Sequence, residues 1–393
     1  MIMIVIMVIG FISILVGTLS SSALASARQE KSSAALTQAK EALLGGAVSD
    51  IINPTNIMPG SLPCPDTNDD GDAEPIASGV CPSYIGRLPW RTLKLPDLRD
   101  GSGERLWYAL SANFRNHSAA RPLNSNTKGT LLVYGTDGVS MQTQAGYSAV
   151  AVIFAPGNAL STGSPLYTQM RNTVAQKNDA ANYLDSIVIP GPITRNNASA
   201  GGPFIAGAKS DTFNDQPLFI TTKELMPLVE QRVATEVKQA LINYYAANNY
   251  YPWADNVSAS TDYDANDGYN RGWLPNNIAT TSSAAEWSGT ARPPQWFFYN
   301  QWYTLIYYSF AKHKKPPGAC NPPFCTANTL SVNGTSGVGA LFFMPGTPVG
   351  ALIRTPTDLT HYLEDSENYG DNDDVYITPT SHAQDRDRLY LLP

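Results

Sequence analysis

The chain has 393 residues, room for two or three ordinary domains, and carries a formal net charge of -7 from 26 Lys and Arg against 33 Asp and Glu. Without clustered Lys and Arg to neutralise phosphates, nucleic acid is excluded as a partner. Charged residues make up only 15% of the sequence while Asn, Ser, Thr, Gly, Pro and Tyr are plentiful, which favours a β-rich exported protein over a cytosolic helical enzyme.

Taken in chain order, Met1 to Leu19 reads MIMIVIMVIGFISILVGTL without a charge, and the first ionisable side chain after it is Arg28. Such a run is long enough to cross a bilayer, so residues 1–27 are expected to be a transmembrane segment in contact with lipid. A cleaved secretory signal ending near Ala23, Ala25 and Ala27 is the alternative. The sequence continues to Gly45 without proline, and Ala35, Leu36, Ala39, Ala42 and Leu43 recur along one helical face. This spacing predicts a stem helix over 28–47, continuous with the anchor.

Four cysteines fall as two local pairs, Cys64 with Cys81 and Cys320 with Cys325. Three pairings are formally open; the local one is expected, as disulfides formed in an oxidising compartment. Inside the first pair, Asp66, Asn68, Asp70 and Asp72 alternate along the chain, with Gly71 at the sixth position and Glu74 following. Alternate oxygen side chains around a glycine turn open a calcium loop, so structural Ca2+ is the candidate cofactor, against a solvated acidic turn. Asp262, Asp264, Asn266 and Asp267, and then Asp371, Asn372, Asp373 and Asp374, are weaker versions.

Matching blocks recur in one order along the two halves. TQAKEALL at 37–44 answers TEVKQALI at 235–242, LPCPD at 62–66 answers YPWAD at 251–255, and GRLP at 86–89 answers GWLP at 272–275. LWYAL at 106–110 is matched with QWYTL at 301–305, and TKGTLLVYG at 127–135 with TANTLSVNG at 326–334. AVIFAPG at 151–157 pairs with ALFFMPG at 340–346, and NYLD at 182–185 with HYLE at 361–364. Thr221 and Glu224 form a capping-box pattern ahead of the stripe Leu225, Val229, Val233, Val237, Ala240, Leu241 and Tyr244. The boundaries expected are a first unit over 28–221 and a second over 222–393.

An apolar helix turning amphipathic ahead of a disulfide-bearing, strand-rich region resembles type IV pilins and pseudopilins. DGSGERLWY at 100–108, followed by GTDG at 135–138, is similar to the aspartate, glycine and tyrosine spacing in the sheet region of major pseudopilins. The stretches PGSLPCPD and CPSYIGRLPWRTLKLPDLRDGSGERLWYALS also resemble large pilin-like exported bacterial proteins. The resemblance implies an α+β fold: a long N-terminal transmembrane and stem helix with two tandem pilin-like lobes, each a helix packed on an antiparallel β-sheet. It implies a non-enzymatic structural or assembly subunit of a type IV pilus or type II secretion-like filament. Its partners would be other pilin or pseudopilin subunits. Its place would be the inner membrane, single-pass, with lobes in the periplasm or displayed on an extracellular filament.

The rival is an exported surface-binding module, an adhesin that takes carbohydrate on the aromatic run from Trp296 to Tyr303 with calcium-stiffened loops. For hydrolase chemistry the motifs Gly-x-Ser-x-Gly, His-Glu-x-x-His and a phosphate loop are all missing, and only four histidines are present.

Overall fold

The computed structural model describes residues 2–49, 58–77, 79–115, 122–143, 148–161, 168–189, 193–257, 268–276, 291–320, 325, 328–348, 352–369, 373–379 and 387–393, leaving aside the side chains of 2–21, 189 and 193. The first half holds α1 (Ile2–Val48), β1 (Ile85–Arg87), β2 (Trp107–Leu110), β3 (Val133–Tyr134), β4 (Ala149–Ala155), α2 (Val174–Lys177), β5 (Ser186–Ile189), β6 (Ile193–Asn196), β7 (Phe204–Ile205) and β8 (Gln216–Thr221). After it come α3 (Thr222–Asn248), β9 (Arg271–Trp273), α4 (Gln295–Tyr299), β10 (Tyr307–Phe310), β11 (Leu330–Val332), β12 (Thr335–Val338), β13 (Ala340–Met344), β14 (Val375–Tyr376) and β15 (Arg388–Leu392).

Two four-stranded antiparallel sheets carry the core, one ordered β1-β2-β4-β8 and the other β9-β10-β13-β15. Their registers correspond. Gly86 lies opposite Tyr108 and Gly272 opposite Tyr308, while Phe154 faces Trp107 and Phe343 faces Tyr307. The hydroxyls of Tyr108 and Tyr308 each donate to a proline carbonyl, Pro63 and Pro252, at 3.3 Å. A Cβ on Gly86 would come within 2.5 Å of the Asp66 carbonyl oxygen, and one on Gly272 would strike the Asp255 carbonyl. In both places glycine lets a neighbouring chain run directly against the strand.

These registers correct one sequence match. LWYAL at 106–110 corresponds to 306–310, five residues beyond QWYTL, because Trp302 belongs to a short 3-10 turn and the strand itself begins at Tyr307.

α3 follows its apolar stripe: Leu225, Val229, Val233, Val237, Ala240, Leu241 and Tyr244 are all buried. Glu224 Oε2 accepts from Thr221 N at 2.9 Å, closing the helix start, and Pro227 lies inside the helix, in its second turn. α3 lies alongside α1 in parallel, since Lys40 Nζ meets Glu224 Oε1 at 2.5 Å and Arg232 donates to the Val48 carbonyl at 2.7 Å.

The expected pair of tandem pilin-like lobes, each a helix on its own antiparallel sheet, is not what forms. Among the described residues there are four α-helices and five sheets, and two of the small sheets pair strands in parallel, β3 with β7 and β11 with β14. One hydrophobic cluster runs from Ala35 and Leu43 of α1 through α3 to Phe342 and Leu392, so the halves share their main core, while a smaller cluster around Trp107, Phe154, Tyr183 and Phe204 belongs to the first half. The reason lies in α3, whose stripe is wide enough to be covered from both sides.

The membrane assignment is corrected as well. Among the described residues no helix is long and apolar enough to cross a membrane, which overturns the single-pass inner-membrane placement with lobes outside it. The expected span over 1–27 falls largely on residues whose side chains lie outside the description. From Ser22 onward, α1 turns Ala35, Leu36, Ala39, Leu43 and Ala47 into the protein core, so this apolar face is covered by protein, not lipid. Both local cysteine pairs are bonded, Cys64 to Cys81 and Cys320 to Cys325, which fits an oxidising compartment.

Candidate functional site

Three regions bear on function: the acidic loop, the buried polar clusters of the two halves, and the exposed part of α1. In the acidic loop, Asp66 is buried and accepts from the amides of Asn68 at 3.0 Å, Asp69 at 2.7 Å and Gly71 at 2.8 Å. Burial outweighs these three bonds and holds its carboxyl above the ordinary range. Asn68 and Asp70 accept from the amides two residues on, and Glu74 accepts from the Thr67 amide and hydroxyl. The candidate calcium ligands therefore cap turns of their own loop. Asp72 reaches outward to Arg91 at 3.9 Å. Among the described residues no group of three or more His, Cys, Asp or Glu converges as a metal set. Asp69, which the calcium pattern passes over, ties the loop down by pairing with both Arg87 and Arg105 at 2.8 Å.

Of the weaker acidic runs, Asp262, Asp264, Asn266, Asp267, Asp371 and Asn372 lie outside the described residues. Asp374 is buried and paired with Arg271 at 2.6 Å. In the aromatic run Trp296, Phe297 and Trp302 are buried in the core, while Tyr299 is exposed. His313 meets the Asn328 carbonyl and His361 meets Asp358 at 3.4 Å, while His117 and His382 lie outside the described residues.

Sequence reading missed the most regular feature, a polar clasp built twice. In the first half, Asp215 Oδ2 accepts from the Asp185 amide at 2.8 Å and Asp185 Oδ2 accepts from the Asp215 amide at 3.1 Å. Asn197 Nδ2 donates to Asp215 at 2.9 Å, and Arg171 lies over the Tyr183 ring while donating to the carbonyls of Asn182 and Gly157. In the second half, Asp387 accepts from the Glu364 amide at 2.9 Å. Arg354 lies over Tyr362 and donates to the carbonyls of His361 and Gly346. Asn197 accepts from the amide of Ile205, the last residue of β7, and Asn368 from the amide of Ile377, just past β14. Burial, then the neighbouring Asp185 carboxylate, hold Asp215 well above the carboxylate range; burial and Glu364 do the same to Asp387.

The third region is where α1 leaves the body. Ser32 Oγ accepts from the Gly101 amide at 2.9 Å, and the Arg28 carbonyl passes so close to Gly101 that any Cβ there would collide with it. Asp100 fixes this loop by accepting from the amides of Ser102, Glu104 and Gly157 at 2.8 to 2.9 Å. The glycine of the pseudopilin-like DGSG motif thus seats the helix. Gln29 Nε2 donates to Gln216 Oε1 at 2.8 Å beside the seat, residues 22–27 N-terminal to it are each exposed, and the outer face of the helix borders a groove of about 1030 Å³ lined by Ala25, Ser26, Gln29, Ser33, Thr37 and Lys209.

No protein-family model, no curated protein and no solved structure matches this chain.

Proposed function

We propose that this chain is a non-enzymatic assembly subunit of the pilin or pseudopilin kind, which joins copies of itself through the exposed stretch of α1. The observation that carries this reading is that α1 continues as a helix N-terminal to its seat at Arg28, through residues 22–27, each of which is exposed. An isolated helical segment of that length is marginal in water, because most helix stability in proteins comes from packing an apolar face. The stretch is rich in Ala and Ser, which allow close backbone approach once another helix lies against it. The parallel packing of α3 on α1 within the chain supplies one built example of such a contact. The two disulfides agree with assembly in an oxidising compartment.

The test is photo-cross-linking of the full-length protein carrying a benzophenone side chain at Ser26, with Ile353, 83% exposed on the body, as the control position. Covalent species at multiples of the chain mass from Ser26 and not from Ile353 are expected. Monomer alone from both positions would remove the proposal.

A further inference from the structure

The segment Leu123–Asn126 belongs to the first half but is held by residues from α3 onward. The Leu123 amide donates to Asn300 Oδ1 at 2.9 Å and Asn124 Nδ2 donates to the Asn300 carbonyl at 2.8 Å. Ser125 Oγ donates to Glu230 Oε1 at 2.6 Å, and Arg354 Nη1 donates to Asn126 Oδ1 at 3.0 Å. Four consecutive residues are thus fastened to α3, to the end of α4 and to the strand-free segment after β13. Leu123, Ser125 and Asn300 are fully buried and Glu230 is 2% exposed, so the contact is dry around Glu230, with the exposed Asn126 at its edge.

A dry carboxyl whose described hydrogen bond is a single hydroxyl is costly to ionise, since each charge taken out of water must be repaid by partners. Arg354 and Arg388 are close enough to offset part of that cost, while Tyr390 on β15 is the further titratable group facing it. Arg354 is itself shared with Glu364 and Asp387, and its guanidinium donates to the His361 carbonyl. On balance burial wins, and Glu230 is pushed up to about 6.

We propose that the Leu123–Asn126 contact with α3 is a proton-gated latch between the halves, shut while Glu230 is neutral and loosened when Glu230 ionises. Lifting the segment lets water reach the carboxylate, so opening is favoured by ionisation and disfavoured by protonation. The displacement from 4.5 to about 6 corresponds to a change of about 30-fold in the opening equilibrium across that interval.

Hydrogen exchange of the Leu123 amide in the full chain, corrected for intrinsic rates, reads this equilibrium. Protection is expected to fall about 30-fold between pH 4 and pH 7.5, and at each pH the Leu123 amide should exchange faster than amides in the middle of α3, which open only with the whole fold. In Glu230→Gln the fall should vanish, and in His361→Asn, the nearest histidine to Arg354, it should persist. Should Glu230→Gln fail to fold, Ser125→Ala serves: losing the one donor to the carboxylate moves the fall to higher pH. A Leu123 amide with pH-independent protection, a fall retained in Glu230→Gln, or a fall abolished by His361→Asn would overturn the latch.

Discussion

At the scale of single residues, the buried carboxyls decide how stability follows pH. Glu230 sits at about 6 in the fold against an ordinary 4.5, so the folded protein binds the proton more tightly than the unfolded chain. Its contribution is therefore full below 4.5 and is lost as pH rises through about 6, a change of about 2 kcal/mol. Glu230→Gln is expected to flatten that part of the stability curve in urea titrations run from pH 4 to 7.5. Asp387, held above the carboxylate range by burial and by Glu364, keeps its proton at neutral pH. Asp387→Asn replaces a neutral donor with another and should cost under about 1 kcal/mol at pH 7, while raising Tm in alkaline buffer. A loss of several kcal/mol at pH 7 would show that Asp387 is ionised after all.

The clasp residues were illegible in the sequence because a lone Asp before a strand and a lone Asn after a turn have no period. Tyr183 and Tyr362 were visible in their repeated blocks, but nothing local says that Arg171 and Arg354 will cover them. The acidic loop was ambiguous for a related reason: alternating Asp and Asn serve metal ligation and amide capping equally well, and only coordinates show which protein atoms they meet. Thermal unfolding with and without about 1 mM calcium is expected to agree within error.

At the scale of elements, glycine positions divide into those the fold needs and those it tolerates. Gly45 lies within α1 with nothing within 4 Å of an added Cβ, so Gly45→Ala should stabilise by about 0.5–1 kcal/mol through chain entropy. Gly272→Ala would drive a methyl into the Asp255 carbonyl at a positive φ and should prevent the β9 pairing, seen as loss of soluble folded protein. The Cys64–Cys81 bond spans a sequence separation of 17, and its reduction should cost about 3 kcal/mol, measured by denaturation with and without reductant.

α3 was readable in full from its stripe and its capping box, because both are local patterns. The aromatic match was not, since Trp302-Tyr303 and Tyr307-Tyr308 offer the same residue types five positions apart. What separates them is long-range: only the second pair lies opposite Phe343 and Phe342 on β13.

At the scale of the molecule, the repeated registers of the two main sheets coexist with one large core that both halves share, beside a second cluster confined to the first half, and α3 lies within the shared one. Sequence blocks reveal repetition but not whether the repeated units stand apart, because the residues that join them, such as Leu123, Asn300 and Glu230, occur once each. The apolar run at the N-terminus misled in the same way: local hydropathy says that a segment avoids water, not which surface covers it. The exposed residues 22–27, N-terminal to the seat at Arg28, are the part of the chain on which the proposed assembly rests.

Sedimentation velocity of the full chain, wild type beside Ser26→Pro, tests this most directly. Proline there breaks the exposed helix without touching a buried side chain. The wild type should sediment as concentration-dependent multimers, and Ser26→Pro as a monomer with unchanged Tm. A wild type that remains monomeric at every concentration, or a variant that assembles equally well, would contradict assembly through α1.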